Sequence, residues 1–393
     1  MRKLQNVLLI IIIALSIFLH FHGLSAQEFL GDDAAPMLLM DRMWDSVPLK
    51  DPRFLAYPFL FYNEPFRSIF SGTLLHFFGP DRIVLRLPSI IFGLLTLYLL
   101  IRIFKKEGVT PWLIILSIAS YSLSPLIIND RSGGGDAQTR FLFLFTGYLL
   151  WQADKHSSIR DLRLSLIAWS IGMITMLDTI VILPVMIAIF WRKKSIIDKK
   201  MLYQIFATIL FFVIFFSSWL ILPYLAYKSG FQNYYDNRGL FYYFSRAGKS
   251  GSEISFDSIK ALVSNTSILF ALWITGAFLF AFKVKKFLLI SLMGASAWIA
   301  VIFLNHSSSH VVMYVGLFFF QTVLVTDYAL KRFPAIRLPL IILLICIIAT
   351  NSLNLFTNYF TQKIDCLPTS VFRIYKAHGR NPSQRPCESS AIK

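Results

Sequence analysis

Two short segments concentrate the side chains that could do chemistry. Gly31-Asp32-Asp33-Ala34-Ala35-Pro36 sets two carboxylates next to each other. Like charges that close repel, and partial desolvation raises the pKa of at least one of them. A carboxylate so tuned suits a general base, worth about 10²–10⁴ in rate. The alternative is a solvated pair capping a short helix that opens near Pro36. The second segment is Asp130-Arg131-Ser132-Gly133-Gly134-Gly135-Asp136-Ala137-Gln138-Thr139-Arg140. Three glycines centred on Gly134 let the backbone come close to a ligand. A helix opening just after them offers free N–H groups and a dipole to an anion. Arg131 and Arg140 add two fixed cations, so the segment reads as a phosphate site with the Asp136 carboxylate beside it. A flexible turn with snorkelling arginines is the structural alternative.

Other residues are candidates on thinner grounds. Arg86-Leu87-Pro88-Ser89 opens an apolar run. Arg86 reads as a headgroup-seeking side chain and Pro88 as a first-turn proline. Asp178 lies within an apolar stretch, where an ionisable group is either functional or part of a helix-joining turn. His306 and His310 flank a short polar loop and could meet a phosphate or a metal, or simply be hydrated. Tyr234, Tyr235, Arg238 and the segment 241–246 make one loop aromatic and basic, suited to sugar stacking or headgroup contact.

The elements that must position these groups are hydrophobic. Of 393 residues, 56% are hydrophobic and only 15% charged, with a mean hydropathy of +0.63. A soluble domain carries roughly a quarter charged residues, so lipid is the solvent this composition fits. The net charge of +17 does not indicate nucleic acid, because the cations sit in short clusters between apolar runs.

Apolar runs lie at about 4–24, 87–104, 111–129, 138–152, 205–226, 260–282, 287–304, 310–328 and 338–356. The stretch 164–191 is too long for one comfortable span and short for two. Treating it as two short helices gathers the clusters at 2–3, 102–106, 155–163, 192–200, 283–286 and 331–337 on one side, half of all 38 Lys and Arg residues. A single span would send the last three clusters across. The expected fold is therefore an all-α polytopic membrane protein of about eleven helices. Its N-terminus is cytoplasmic, its first helix an uncleaved anchor rather than a signal peptide, and its C-terminus outside. Residues 1–356 form the membrane domain and 357–393 a short outside tail. The first outside loop, 25–86, is rich in proline, and 66–78 is expected to lie in the interface as an amphipathic helix. Cys366 and Cys387 in an outside tail could close a disulfide, and no Cys/His spacing suggests a structural metal.

The order of these motifs carries a resemblance. An acid pair beyond the first helix, Arg-x-Pro-Ser opening the second and Arg131-x4-Asp136 before the fourth resemble the C-type (GT-C) membrane glycosyltransferases. They are most similar to the protein mannosyltransferase and aminoarabinose transferase group, most clearly over about 1–225. The resemblance implies an enzyme of the outer face that draws on a polyprenyl-phosphate sugar. It implies Asp33 or Asp32 as catalytic base and Asp136 as the second acid. Arg86, Arg131 and Arg140, with Gly134 and His310 nearby, become supports or ligands of the lipid phosphate. The acceptor is a lipid, a glycan or a protein, and the membrane a bacterial inner membrane. A divalent cation such as Mg or Mn could bridge carboxylate and phosphate, though the sequence does not require one. Leu177-Asp178 and Met313-Tyr314 stand where relatives often carry a basic residue and an Arg-Tyr pair. The competing class is a transporter or flippase for a lipid-linked or anionic solute, which would show internal repeats and broken mid-membrane helices.

Overall fold

Helix boundaries fall where the sequence supplies caps and prolines. The computed structural model describes residues 2–22, 24, 65–79, 81–131, 136–228, 256–284, 287–299, 308–361, 366–367, 376 and 385–386. In chain order the helices are α1 (Arg2–Phe21), α2 (Pro65–Phe78), α3 (Arg82–Lys106), α4 (Pro111–Ser122) and α5 (Leu126–Asp130). They continue with α6 (Asp136–His156), α7 (Ile159–Thr175), α8 (Leu183–Arg192), α9 (Lys199–Lys228) and α10 (Phe256–Asn265). The last four are α11 (Ile268–Phe282), α12 (Leu288–Ile299), α13 (Val315–Arg332) and α14 (Arg337–Thr361). Asp81 caps α3 by accepting from the Ile83 amide at 2.7 Å, and Ser267 caps α11 through the Phe270 amide at 3.1 Å. Such caps satisfy amides that have no partner within the helix.

The expected run 111–129 is two helices, broken between Ser122 and Leu126. Pro125 has no amide to donate and disfavours helical backbone in the residue before it. The stretch 164–191 does turn back on itself. Met176 leaves α7 in an extended conformation, a 3-10 segment (Leu177–Ile182) follows, and Pro184 opens α8. The turn packs tightly, because a Cβ on Gly172 would lie 3.0 Å from the Thr179 side chain, and the Trp169 indole donates to the Thr179 carbonyl at 2.9 Å.

Burial separates core from rim. The span Val311–Arg332 is 94% buried, whereas Lys199–Ser217 is only 6% buried. Phe319 of α13 packs against Phe270, Trp273, Phe104 and Tyr121 in one aromatic cluster. On the rim, Ile10, Phe206, Val213, Leu338 and Leu353 point outward from α1, α9 and α14. Apolar area left in water would cost roughly 25 cal/mol per Å², so these faces belong in lipid. Five described helices are long and apolar enough to cross a membrane, with four shorter apolar ones between them. The protein is an integral membrane protein of all-α fold. Outside the helices, the one described strand pairing is a two-residue parallel match of Cys366–Leu367 with Arg385–Pro386. The helix expected over 66–78 is present as α2, packed on α3 and α7. Its buried side is Ser71 and Leu75, but its exposed side carries Phe70, Phe77 and Phe78, so both faces are suited to a bilayer rather than one to water.

One end of the bundle collects the cation clusters. Glu107, just after α3, meets Lys155 at the end of α6 at 2.8 Å, and Asp154 of α6 pairs with Arg192 of α8. Arg163 near the start of α7 pairs with Asp198 at the start of α9. Lys331 of α13 donates to the Gly108 carbonyl at 3.0 Å. The clusters before and after 164–191 therefore share an end, as the two-helix reading requires.

Candidate active site at the buried-arginine end

At the opposite end α1 stops, α3 and α6 begin, and α5 ends. Arg86 in the second turn of α3 is fully buried and donates through Nη1 to the Leu24 carbonyl at 2.7 Å. Arg131, just past α5, donates through Nη2 to the His22 carbonyl at 2.8 Å. The last carbonyls of a helix have no partner within it and carry partial negative charge. Two guanidiniums from distant elements thus hold the exit of α1, which is where the chain sets out toward Asp32 and Asp33.

Beneath them lies an ion pair. Arg140 in the second turn of α6 donates to Asp130 at the end of α5 and to the Tyr121 hydroxyl of α4 at 3.2 Å. His20 of α1 donates from Nδ1 to the Ser16 carbonyl at 2.7 Å and turns Nε2 toward Asp130 at 3.5 Å. Arg140 is wholly buried and Asp130 nearly so. Buried charge is costly unless paired and hydrogen-bonded, and here each partner is both. The backbone makes room for it. A Cβ on Gly93 of α3 would lie 2.5 Å from an Asp130 carboxylate oxygen, and one on Gly316 of α13 3.1 Å from Cγ of Arg140.

The structure thus brings Arg86, Arg131 and Arg140 to one end, with Asp136 half-buried as the first residue of α6. A carboxylate there is favoured by the helix dipole. The 3-10 segment Ser308–Tyr314 that carries His310 packs against α6 and α10. Asp32, Asp33, Gly134, His306 and the aromatic-basic loop at 234–246 lie outside the described residues, as do the side chains of His310, Asp178, Cys366 and Cys387. The sequence reading assigned no role to His20 or Tyr121 and treated Asp130 only as part of its segment. An ionisable residue within an apolar helix, as His20 is, was the available signal; Tyr121 offered none. Among the described residues no three His, Cys, Asp or Glu side chains converge, and Asp130 is engaged by Arg140.

In sequence, residues 65–221 match the family described as dolichyl-phosphate-mannose-protein mannosyltransferase. In structure, the chain superposes on ArnT from Cupriavidus metallidurans bound to undecaprenyl phosphate, with a TM-score of 0.55 at 12% identity over 81% of this chain. The chain has the fold of ArnT. Apo ArnT from the same organism gives a TM-score of 0.53 at 13% identity, again over 81% of this chain. The chain spans about 60% of the length of that protein. No curated protein matches this sequence closely enough to count as a relative. The family match runs from α2 into α9 and contains Arg86, Asp130, Arg131, Asp136 and Arg140. His20, Asp32 and Asp33 precede it. The resemblance to the mannosyltransferase and aminoarabinose transferase group thus holds in sequence over this segment and in fold over most of the chain.

Proposed function

We propose that this protein transfers a sugar from a polyprenyl-phosphate donor to an acceptor hydroxyl, with inversion, at the buried-arginine end of the bundle. The observation that carries the reading is that Arg86, Arg131 and Arg140 come to one end of the bundle, the end where α6 opens with Asp136. Buried guanidiniums gathered in a poorly solvated place beside the open N-terminus of α6 suit an anion. The fold is shared with ArnT, whose structure holds undecaprenyl phosphate.

The chemistry is a single displacement. The acceptor oxygen bonds to the anomeric carbon as the bond to the phosphate oxygen breaks, and the electron pair leaves with the lipid phosphate. A carboxylate takes the hydroxyl proton, a role assigned to Asp33 or Asp32, with Asp136 as the second acid. Positive charge and the N-terminus of α6 stabilise the departing phosphate. One displacement inverts the anomeric centre and needs no glycosyl-enzyme, unlike the two steps of a retaining glycosidase. The charge rule favours a cytoplasmic position for the cation-rich end, which supports a reaction on the outer face.

Purified protein in liposomes, supplied with a panel of labelled polyprenyl-phosphate sugars, tests this. Release of polyprenyl phosphate and an inverted glycoside are expected. Failure of the folded protein to bind any such lipid would sink the reading.

A further inference from the structure

A second feature lies on the flank of the same end. A groove of about 290 Å³ opens between α3, α6 and α7. From α6 it is lined by Gln138, Phe141 and Phe145, residues spaced to share one helix face. From α7 it is lined by Ile167, Ala168 and Ile171. Ile167 and Ile171 are exposed on the rim, so the groove is entered sideways from lipid. It runs along the half of α6 nearest Asp136, and Gln138 stands at its head.

Gln138 is 1% exposed, and neither its amide nitrogen nor its amide oxygen has a hydrogen-bond partner among the described residues. A buried amide with both atoms unpaired is unfavourable. A ligand that offers a donor and an acceptor together would satisfy it. A phosphate offers only acceptors and would face the Gln138 oxygen with like polarity. No charged side chain lines the groove, and Arg140, two residues on, is committed to Asp130 and Tyr121. The donor's phosphate therefore does not suit this place. An apolar chain joined to its head by an amide, or bearing a hydroxyl there, suits both the walls and Gln138.

We propose that this groove seats an acyl tail of the acceptor, which is therefore a lipid, with Gln138 hydrogen-bonded to an amide or hydroxyl where tail meets head. The assignment to the acceptor rests on the transfer reaction proposed above; the groove as a lipid site does not.

The test uses the full-length protein in phosphatidylethanolamine and phosphatidylglycerol liposomes with three photoactivatable probes. These are a single-chain N-acyl amide lipid, an alkane of equal length and a polyprenyl phosphate. The amide probe is expected to label peptides within 138–171. One lost hydrogen bond should weaken that labelling about fivefold in Gln138→Leu, and Ile171→Trp, on the exposed rim, should block it without disturbing the fold. Equal labelling by the alkane, no loss in Gln138→Leu, or displacement by the polyprenyl phosphate would overturn the proposal. Two further outcomes separate it from the transfer reading. Sugar transfer to a soluble peptide or glycan, unchanged in Ile171→Trp, would overturn the lipid acceptor and leave transfer standing. Amide-probe labelling as expected, with no transfer from any donor, would leave a lipid groove and remove its assignment to an acceptor.

Discussion

Arg140 and Asp130 form an ion pair across the turn between α5 and α6, ten residues apart in sequence and both shut away from solvent. The pair ties the end of one helix to the start of the next, on either side of the glycine run. Because α1 and α4 also reach it through His20 and Tyr121, it fixes four elements at the end assigned to catalysis.

Removing one partner strands a buried charge. Asp130→Ala or Arg140→Met is expected to lose about 3–5 kcal/mol of stability. The double variant should cost less than the two singles together, since no lone charge remains. Unfolding of the purified protein in mild detergent measures all three. Strict additivity would show that the two residues do not act as a pair.

The glycine beside them gives an independent check. Gly93→Ala drives a methyl group to 2.5 Å from Asp130, whereas a Cβ at Gly276 on α11 meets nothing within 4 Å. Gly276→Ala should be neutral or gain up to about 1 kcal/mol from reduced chain entropy. Gly93→Ala should lower the melting temperature and abolish the coupling measured in the double-mutant cycle.

Arg86 and Arg131 hold the backbone of α1 at its exit. Arg86→Met and Arg131→Met are expected to speed amide hydrogen exchange at residues 18–24, with little change in α13. Exchange that stays at the wild-type rate in both variants would mean that these side chains do not restrain α1.

Much of this architecture is legible in the sequence, and for a simple reason. In lipid every backbone group must be satisfied within its own segment, so long apolar runs announce helices, and short cationic clusters announce their shared end. Even the doubling back at 164–191 follows from where Lys155 and Arg192 must lie. Hydropathy alone runs straight through the helix break at Pro125, although the proline itself signals it. The site is legible only in part. Arg86, Arg131 and Arg140 could be grouped by side. That Arg86 reaches the carbonyl of Leu24, or that Tyr121 meets Arg140, depends on helix packing that no local spacing encodes. The groove headed by Gln138 is of the same kind. Its walls come from three helices, and Gln138 reads in isolation as an ordinary polar residue near a helix start.

At the cation-rich end, Asp198 accepts from Arg163 and from the Met201 amide at 2.8 Å. The Arg163 hydrogen bond, helped by that amide, holds its carboxyl below the ordinary 3.8. Its folded pKa is depressed, so its contribution is present above pH 3.8 and is lost as pH falls through the lower folded value. Asn can still cap α9, which makes Asp198→Asn a test of the charge alone. The variant should melt below wild type at pH 6, and the gap should close in the range below pH 3.8. A gap that persists unchanged in acid would assign the effect to capping instead.

The central claim is transfer of a sugar by carboxylates at the arginine-lined end. The most direct measurement is the transfer rate from polyprenyl-phosphate sugars by purified wild type and by Asp32→Asn, Asp33→Asn and Asp136→Asn, each confirmed folded. Loss of a general base should lower kcat about 10²–10⁴-fold in Asp33→Asn or Asp32→Asn, with donor binding retained, and Asp136→Asn should also be impaired. Full activity in all three variants would contradict the account.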